Sequence, residues 1–326
     1  MTKPRSEFEL IERHFARPPR DPAVRVGVGD DAAVLAPTPG TELVVSVDML
    51  VEGRHFFAGT DPQRLGHKTL AVNLSDLAAM GATPRFALLA GALPDSDDAW
   101  LTAFMAGFRA LAERYAVELV GGDTTRGPRN LCVTIIGEVP TGTAILRRGA
   151  QPGDDVYVSG TLGDAALAVA ALSGEVVLSN GDLAHAQRRL ESPEPRIELG
   201  ERLRGIASAA LDVSDGLTGD LGHILECSRV GATIEVRALP RSATLDAMLE
   251  GRTHDIALRC LLAGGDDYEL CFTAPQRHRI ALAGLAQALA LPLGRIGAID
   301  AIPGLRVRDG NELLSALPRA FDHFAE

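Results

Sequence analysis

The spacing of apolar residues predicts a chain in which short strands alternate with amphipathic helices. Apolar runs rich in β-branched residues favour strands, and apolar positions that recur every three or four residues favour helices. A Ser-X-X-Glu capping box at residues 6–9 and an Asp-Pro pair at residues 61–62 mark two helix beginnings. We predict helices at residues 62–80, 97–115, 162–172, 182–190, 196–208, 217–227 and 276–290, and strands at residues 24–28, 43–47, 85–93, 131–139, 156–159, 209–213, 232–236, 268–273 and 293–298.

This order of elements predicts an α/β protein with two domains. A polar segment that contains Gly and Pro, residues 147–155, interrupts the pattern and is typical of a junction between domains. The chain of 326 residues is long enough for two cores at roughly 150 residues per domain. We therefore expect an N-terminal domain over residues 1–146 and a C-terminal domain over residues 147–326, each with a sheet flanked by helices.

Composition and charge narrow the class of protein. The chain has 32 Lys plus Arg against 43 Asp plus Glu, a formal net charge of −11, which argues against a nucleic-acid binder. Apolar residues make up 46%, which excludes a disordered chain. No apolar run reaches the roughly 18 residues of a membrane span, and the four cysteines form no C-X-X-C pair of a zinc or redox site. Acidic residues stand where a signal peptide would be apolar, so we expect a cytoplasmic protein.

Carboxylates recur where apolar segments meet glycine-rich turns, as at Asp30, Asp48, Asp123, Asp212, Asp215 and Asp266. Asp76 differs from these residues, because it lies inside the helix predicted at residues 62–80. Any one of them is explained as a turn or helix-cap residue, but that explanation does not cover an Asp in mid-helix. Carboxylates beside apolar strands are costly to bury unless something pairs with them. Since the chain has only two lysines, the partner is either Arg or a metal cation.

Among metal cations, Mg²⁺ fits this set of carboxylates best. It is a hard ion that takes a few carboxylates and completes its octahedron with water and substrate phosphates. Several Mg²⁺ ions would also let an acidic protein hold a polyanion such as ATP. The residues alone therefore indicate metal-bridged phosphate chemistry.

Seven segments resemble the thiamine-monophosphate kinase family, in that family's order and over nearly the whole chain. They are GVGDDAAV (27–34), SVDMLVEGRHF (46–56), HKTLAVNLSDLAAMGATP (67–84), GGDTTRG (121–127), RRGAQPGD (147–154), LDVSDGL (211–217) and GGDDYEL (264–270). The family belongs to the aminoimidazole-ribonucleotide synthetase superfamily. The resemblance implies that superfamily's fold, with two ATP-binding α/β domains, mixed sheets flanked by helices and pairing into a homodimer.

The resemblance also implies a reaction and a set of ligands. The γ-phosphoryl group of ATP would pass directly to thiamine monophosphate, giving thiamine diphosphate and ADP, with Mg²⁺ and no catalytic side chain. Implied metal ligands are Asp30, Ser46, Val47, Asp48, Asp76, Asp123, Asp212 and Asp215. Implied ATP contacts are Gly122, Asp123, Arg147 and Ser214, and implied substrate contacts are His55, Asp266 and Phe321.

Three positions depart from the family's usual pattern. Val47 stands where Thr is frequent, so it could offer a metal only its backbone carbonyl. Asp266 stands where Glu is usual and is one methylene shorter. Phe321 stands where Trp or Tyr often precedes the final His-Phe. These departures affect single contacts and leave the expected reaction unchanged.

Other interpretations stay open at the level of the sequence. His55 could be a partly buried packing residue, Arg147 a solvated linker charge and Phe321 a core anchor. Another ATP-dependent member of the superfamily, such as aminoimidazole-ribonucleotide synthetase, is one alternative function. A non-catalytic module stabilised by cations is another. The seven segments favour the kinase. Its chemistry also fits the residues, because the acceptor is a phosphate monoester with a second pKa of about 6, which is largely ionised at neutral pH and needs no general base.

Overall fold

The computed structural model describes residues 7–319 and divides into two compact units. The first unit contains the residues up to Leu77 together with Ala82–Gly142. The second contains Ala78–Gly81 together with the residues from Thr143 onward. The assignment of domains to residues 1–146 and 147–326 remains a prediction.

The first unit is built on a four-stranded mixed sheet. Its helices are α1 (Glu7–Leu10), α2 (Pro62–Ala79) and α3 (Asp98–Arg114), with a π-helical turn at Ile11–Phe15. Its strands are β1 (Val24–Val26), β2 (Val34–Leu35), β3 (Thr41–Val51), β4 (Thr83–Leu93), β5 (Glu118–Arg126) and β6 (Asn130–Pro140). The order across the sheet is β3-β6-β4-β5, and β1 pairs separately with β2. Only β4 and β5 run parallel among these neighbours.

Helix α2 begins at the predicted residue because Asp61 caps its first turn. The Asp61 Oδ1 accepts the N–H of Arg64 at 3.0 Å, as expected of an N-cap aspartate. From Leu65 onward most positions are buried, and several of them are polar. Two of these polar side chains bond within the helix: the Thr69 hydroxyl donates to the Leu65 carbonyl at 2.7 Å, and the Asn73 amide donates to the Thr69 carbonyl at 3.1 Å. Such bonds reduce the cost of burying polar groups in this helix.

Two glycines let α2 and α3 approach each other at backbone distance. A Cβ atom added to Gly66 would lie 1.9 Å from the carbonyl oxygen of Phe104. A Cβ atom added to Gly107 would lie 1.8 Å from the carbonyl oxygen of Gln63. Side chains at these two positions would force the helices apart, because close-packed interiors cannot absorb such overlaps.

The second unit is built on a seven-stranded mixed sheet. Its strands are β7 (Asp155–Ser159), β8 (Ala209–Val213), β9 (Gly231–Glu235), β10 (Glu269–Ala274), β11 (Leu293–Asp300), β12 (Gly304–Asp309) and β13 (Glu312–Leu313). The order across the sheet is β13-β12-β9-β11-β7-β10-β8. Its helices are α4 (Asp164–Leu172), α5 (Asn180–Glu191), α6 (Ile197–Leu203), α7 (Leu217–Ser228), α8 (Ala243–Leu249), α9 (His254–Ala263) and α10 (Arg279–Ala288). Only β9 and β12 pair in parallel within this sheet. The mixed sheets with helices confirm the predicted fold class.

A buried ionic cluster fixes the beginning of β10. The carboxylate of Glu269 is fully buried and accepts hydrogen bonds from Arg189 at 2.8 Å, from Arg196 at 2.6 Å and from the Ser159 hydroxyl at 2.6 Å. A buried carboxylate is tolerable only with such partners, since removing one partner of a buried pair costs about 3–5 kcal/mol. The cluster therefore ties β7 and β10 to the two arginine-bearing segments.

Strand lengths are the main difference between prediction and structure. Asp48 and Asp123, expected after strand ends, lie inside β3 and β5, and Asp212 lies inside β8. The pairing of β3 with β6 continues from Thr41 to Val51, well beyond the apolar run at residues 43–47. Ladder hydrogen bonds use backbone groups, which polar residues supply as well as apolar ones, so the apolar pattern underestimates the strands.

Helix predictions fail where the pattern is short or interrupted. The helices α8 and α9 and the strands β2, β5, β12 and β13 were not predicted. The helix expected at residues 196–208 ends at Leu203, because Gly205 adopts a left-handed turn with φ of 74°. The helix expected at residues 276–290 divides into a 3₁₀ turn, Gln276–His278, and α10. Ser6 of the predicted capping box lies outside the described residues.

We expect Gly66→Ala to destabilise the protein by about 1–3 kcal/mol, the usual cost of overpacking. Its matched control is Gly222→Ala in α7, where no atom lies within 4 Å of an added Cβ. That control should gain about 0.5–1 kcal/mol from helix propensity alone. Urea denaturation of both variants checks the pair. Equal stability changes of the same sign would show that the α2–α3 approach is not as close as described.

Candidate active site

One group of predicted site residues lies where β3 meets α2. The Ser46 hydroxyl on β3 donates a hydrogen bond to the Asp76 carboxylate on α2. Asp48 follows two residues later on β3, and its backbone N–H donates to Oδ1 of Asn73 at 3.1 Å. The structure thus brings Ser46, Asp48 and Asp76 to one place, with hydroxyl and carboxylate oxygens on adjacent elements.

Val47 lies between these residues, and its side chain is 58% exposed. Successive side chains of a strand point to opposite faces, so Val47 points away from the face that carries Ser46 and Asp48. Its only oxygen is the backbone carbonyl, as the sequence analysis expected. A side-chain ligand at this position is therefore absent.

Asn73 is a residue of this region that the sequence analysis did not assign. It is fully buried, and its amide group donates to the Thr69 carbonyl while its oxygen accepts from Asp48. This orientation of the amide follows from the two hydrogen bonds. The available signal was its position three residues before Asp76, which places both side chains on one face of the helix.

Asp30 and Asp123 occupy different parts of the first unit. Asp30 is exposed in the loop after β1, where its Oδ1 accepts the N–H of Asp31 at 2.9 Å. Asp123 is exposed on β5, the opposite edge strand from β3. The residue pairs across the sheet run from Asp48 through β6 and β4 to Gly122, three inter-strand steps of about 4.8 Å each. The sheet therefore does not bring Asp123 together with Asp48.

Gly122 is required by backbone packing. A Cβ atom on it would lie 1.9 Å from the carbonyl oxygen of Leu89 on the neighbouring strand. This close approach explains the glycine whether or not a nucleotide binds there. The expected contact of Gly122 with ATP remains a prediction.

His55 follows β3 in a turn that is held by backbone bonds. Its Nδ1 accepts the N–H of Val51 at 3.0 Å, so the proton of the neutral ring is on Nε2. The buried amine of Lys68 donates to the His55 carbonyl at 3.2 Å. The ring is half-buried and is oriented by its bond to the Val51 N–H.

A second group of predicted site residues lies in the turn between β8 and α7. Asp212 is buried at the end of β8, whereas Asp215 is exposed in the turn and Ser214 is half-buried. Asp220, which the sequence analysis did not assign, accepts the N–H groups of Ser214, Asp215 and Gly216 at 3.0–3.1 Å. Burial raises the pKa of Asp220 to about 7, while the three N–H donors act in the opposite direction. The available signal was an acidic residue in the first turn of a helix.

Asp266 lies next to this turn in the same unit. Its backbone N–H donates to the Ser214 carbonyl at 2.8 Å, and it adopts a left-handed conformation with φ of 66°. The N–H of Tyr268 donates to the Val213 carbonyl at 2.8 Å. The segment around Asp266, which is expected to bind the substrate, therefore contacts the turn at Ser214, which is expected to bind metal and ATP.

Arg147 and Phe321 are the two remaining residues of the predicted site. Arg147 is exposed, and its carbonyl oxygen accepts a long hydrogen bond of 3.4 Å from the Ser228 hydroxyl. Phe321 lies outside the described residues.

The donor set suits a hard cation. Within residues 7–319, no three His, Cys, Asp or Glu side chains gather into a single metal-holding group. Ser46, Asp48 and Asp76 nevertheless supply oxygen atoms only, which is the chemistry that Mg²⁺ prefers. An ion held by so few side chains completes its coordination with water and phosphate oxygens. The residues therefore fit Mg²⁺ that arrives together with a phosphate ligand.

Comparison with known proteins identifies the family. Residues 29–139 match the model of the AIR synthase related protein, N-terminal domain. The thiamine-monophosphate kinase of Salmonella typhimurium is 47% identical over 324 residues, which are 98% of this chain and 98% of the relative. The chain belongs to the thiamine-monophosphate kinase family. The thiamine-monophosphate kinase of Escherichia coli K12 is 45% identical and covers 98% of both chains. The predicted membership of the family is thereby confirmed, and the chain is a kinase.

Solved structures of the thiamine-monophosphate kinase family agree with this fold. The enzyme from Stenotrophomonas maltophilia matches with a TM-score of 0.85 and 49% identity, over 93% of this chain and 96% of that chain. The structure of AaThiL complexed with AMPPCP and TMP matches with a TM-score of 0.77 and 30% identity, over 89% of both chains. The hydrogenase maturation protein HypE of E. coli has a TM-score of 0.72 and covers 93% of both chains, but at 21% identity it shows the shared fold alone.

Proposed function

We propose that the chain transfers the γ-phosphoryl group of ATP to thiamine monophosphate, giving thiamine diphosphate and ADP. The observation that carries this proposal is the near full-length similarity to thiamine-monophosphate kinases. A relative solved with AMPPCP and TMP, whose abbreviations match an ATP analogue and thiamine monophosphate, supports the same substrates. Aminoimidazole-ribonucleotide synthetase and a non-catalytic cation-binding module receive no support from these relatives.

A direct transfer suits the residues of the site. The acceptor phosphate has a second pKa of about 6 and is largely ionised at neutral pH, so no general base is needed. The main barrier is repulsion between two anions, which positioning and charge neutralisation relieve. When bound, Mg²⁺ would neutralise phosphate charge and hold the phosphates in line. In the region described here, Ser46, Asp48 and Asp76 offer the oxygen atoms for that ion.

The remaining proposed ligands divide between the two units. In the first unit, Asp30, Asp123 and the Val47 carbonyl would join the metal ligands, and Gly122 would contact ATP. In the second unit, Asp212 and Asp215 would hold metal, while Ser214 and Arg147 would contact ATP. Because Asp48 and Asp123 lie on opposite edges of their sheet, we propose several ions instead of one.

Three residues would bind the thiamine part of the substrate. The Nε2–H of His55 is a hydrogen-bond donor, and the Asp266 carboxylate suits the amino group of the pyrimidine. Phe321 would offer an aromatic face to a flat or cationic ring.

An assay with purified protein tests the reaction itself. We expect formation of thiamine diphosphate that requires ATP, thiamine monophosphate and a divalent cation. Incubation with γ-labelled ATP without acceptor should leave the protein unlabelled, because no phosphoenzyme forms in a direct transfer. Absence of thiamine diphosphate would contradict the substrate assignment, and a stable label on the protein would contradict direct transfer.

We also propose a homodimer that forms through β3. Its outward side chains Leu43, Val45, Val47 and Met49 are 52–59% exposed and form one apolar strip. Contiguous exposed apolar surface of this kind marks association sites more often than free surface. A second copy would cover the strip and also protect β3, which is an edge strand of its sheet.

We propose a cytoplasmic location on two grounds. Among residues 7–319, none of the helices has the length and apolar character needed to cross a bilayer. The four cysteines are free thiols, which is usual in reducing compartments. Cell fractionation should recover the chain with a cytoplasmic marker enzyme, and recovery from the periplasm or membranes would contradict this location.

Asp76→Asn should lower turnover at limiting Mg²⁺ by about 100-fold, which corresponds to about 2.7 kcal/mol of transition-state stabilisation. Asn can still accept the hydrogen bond from Ser46 but loses the charge that attracts the cation. The control is Glu113→Gln, an exposed carboxylate paired with Arg20, which should leave turnover unchanged. Titration of activity against Mg²⁺, with circular dichroism of each variant, checks the result. A folded Asp76→Asn protein that turns over at the wild-type rate in limiting Mg²⁺ would refute the role of Asp76.

Asp266→Asn should raise the KM for thiamine monophosphate about tenfold and leave the KM for ATP nearly unchanged, since one substrate hydrogen bond is worth about 1–3 kcal/mol. Asn is preferred to Ala here, because it tolerates the left-handed backbone at this position. Phe321→Ala should show the same selectivity. Steady-state kinetics with each substrate varied in turn provides the measurement. A rise in the KM for ATP alone would mean that these residues serve the other ligand.

Leu43→Asp combined with Val45→Asp should convert the dimer into a monomer, because buried charges oppose association through an apolar strip. Val177→Asp is the matched control, since Val177 is 95% exposed in the second unit and lies outside the strip. Sedimentation velocity distinguishes the two states. A double variant that remains dimeric would place the interface elsewhere.

A further inference from the structure

The turn between β8 and α7 is held by one carboxylate oxygen. Oδ2 of Asp220 accepts the backbone N–H of Ser214 at 3.1 Å and those of Asp215 and Gly216 at 3.0 Å each. Asp220 is itself only 5% exposed. Three successive N–H groups thus converge on a single internal acceptor.

This internal acceptor changes what the turn before α7 can bind. Backbone N–H groups at the beginning of a helix commonly form a binding site for phosphate. The N–H groups of the three residues that precede α7 are already satisfied by the Asp220 carboxylate. A phosphate group could use those three donors only by displacing Asp220. The neighbouring Asp212 and Asp215 carboxylates can attract a cation, which offers phosphate a contact at this turn that leaves Asp220 in place.

The same turn is joined to the loop that carries Asp266. The Ser214 carbonyl accepts the N–H of Asp266 at 2.8 Å. The two segments also touch backbone to backbone: a Cβ atom on Gly265 would lie 2.4 Å from the Ser214 carbonyl oxygen. A Cβ atom on Gly216 would lie 2.6 Å from the carbonyl carbon of Ala263. A shift of the turn would therefore displace the Asp266 loop as well.

We propose that Asp220 is a positioning residue that fixes the turn at Ser214–Gly216 and, through the Ser214 carbonyl, the backbone of Asp266. The Asp220 carboxylate thereby fixes the positions of two segments: the turn that carries the proposed metal ligand Asp215, and the loop that carries the proposed substrate contact Asp266. This inference rests on the proposed function, which assigns roles to Asp215, Ser214 and Asp266. Asp220 itself contacts backbone N–H groups and is not a catalytic residue.

Two substitutions separate the hydrogen bonds of Asp220 from its charge. Asp220→Asn retains an oxygen that can accept the same three N–H groups, so we expect kinetic constants within about twofold of wild type. Asp220→Ala leaves three donors without their acceptor, and the N–H of Gly216 among them is buried. We expect it to raise the Mg²⁺ concentration for half-maximal activity and the KM for both substrates by at least about tenfold. Rescue by Asn and loss by Ala is the expected pair of results.

Asp155→Ala is the matched control for general destabilisation. Asp155 is 1% exposed and pairs with Arg279 and Arg295, so its loss removes a buried carboxylate and its ionic hydrogen bonds, as the loss of Asp220 removes a buried acceptor. In the antiparallel pairing it stands opposite Ala274, five residues and roughly 17 Å along β10 from Glu269. We expect this control to lower Tm without changing the KM values or the Mg²⁺ requirement.

Amide hydrogen exchange supplies a readout that does not depend on activity. Asp220→Ala should accelerate exchange in residues 211–217 and 264–268, and Asp155→Ala should not.

If Asp220→Ala does not fold, Asp220→Glu is the variant to test, because its longer side chain keeps the charge but displaces the oxygen from the three N–H groups. Unchanged exchange in both segments, or a fall in Tm with unchanged KM values and Mg²⁺ requirement, would overturn the proposal. A wild-type protein that makes no thiamine diphosphate would instead refute the proposed function and leave the exchange test of Asp220 decisive.

Discussion

The placement of carboxylates in an acidic chain is the constraint on which much of this structure depends. Glu269 and Asp155 are buried and paired with two arginines each, and Asp220 is buried and accepts hydrogen bonds from three backbone N–H groups. Asp48 and Asp76 are half-buried, and Asp215 is exposed. The first set is held within the fold by these bonds, and the second set comprises three of the proposed metal ligands. The distinction follows from the cost of burying charge without a partner.

Glycine supplies the second constraint, because neighbouring segments approach each other through backbone atoms. Gly66 and Gly107 bring α2 against α3, while Gly216 and Gly265 bring two loops together in the second unit. A side chain at any of these positions would overlap carbonyl groups. The rigid contacts that result keep the Asp-bearing segments at fixed positions, which a transfer that relies on positioning requires.

Much of the proposed site was expected from the sequence, because its chemistry depends on residue type. The acidic residues, the nearly complete absence of lysine and the seven family segments indicate a metal-assisted kinase without any coordinates. Asn73 and Asp220 were not assigned from the sequence, because a position on one face of a helix or in its first turn does not show which backbone N–H groups the side chain accepts. The helices α8 and α9 were missed because their apolar patterns are too short to stand out.

By itself the sequence determined the class of fold, the family, the capped beginning of α2 and the types of residue available for metal and phosphate. These properties depend on local propensity, composition and the order of segments, which the chain carries along its length. Only the tertiary structure decided which oxygen-bearing side chains meet. The Ser46 hydroxyl on β3 bonds the Asp76 carboxylate on α2, whereas Asp48 and Asp123 lie on opposite edges of one sheet. Strand order is set by pairing between residues far apart in the chain, and a one-dimensional pattern does not contain that information.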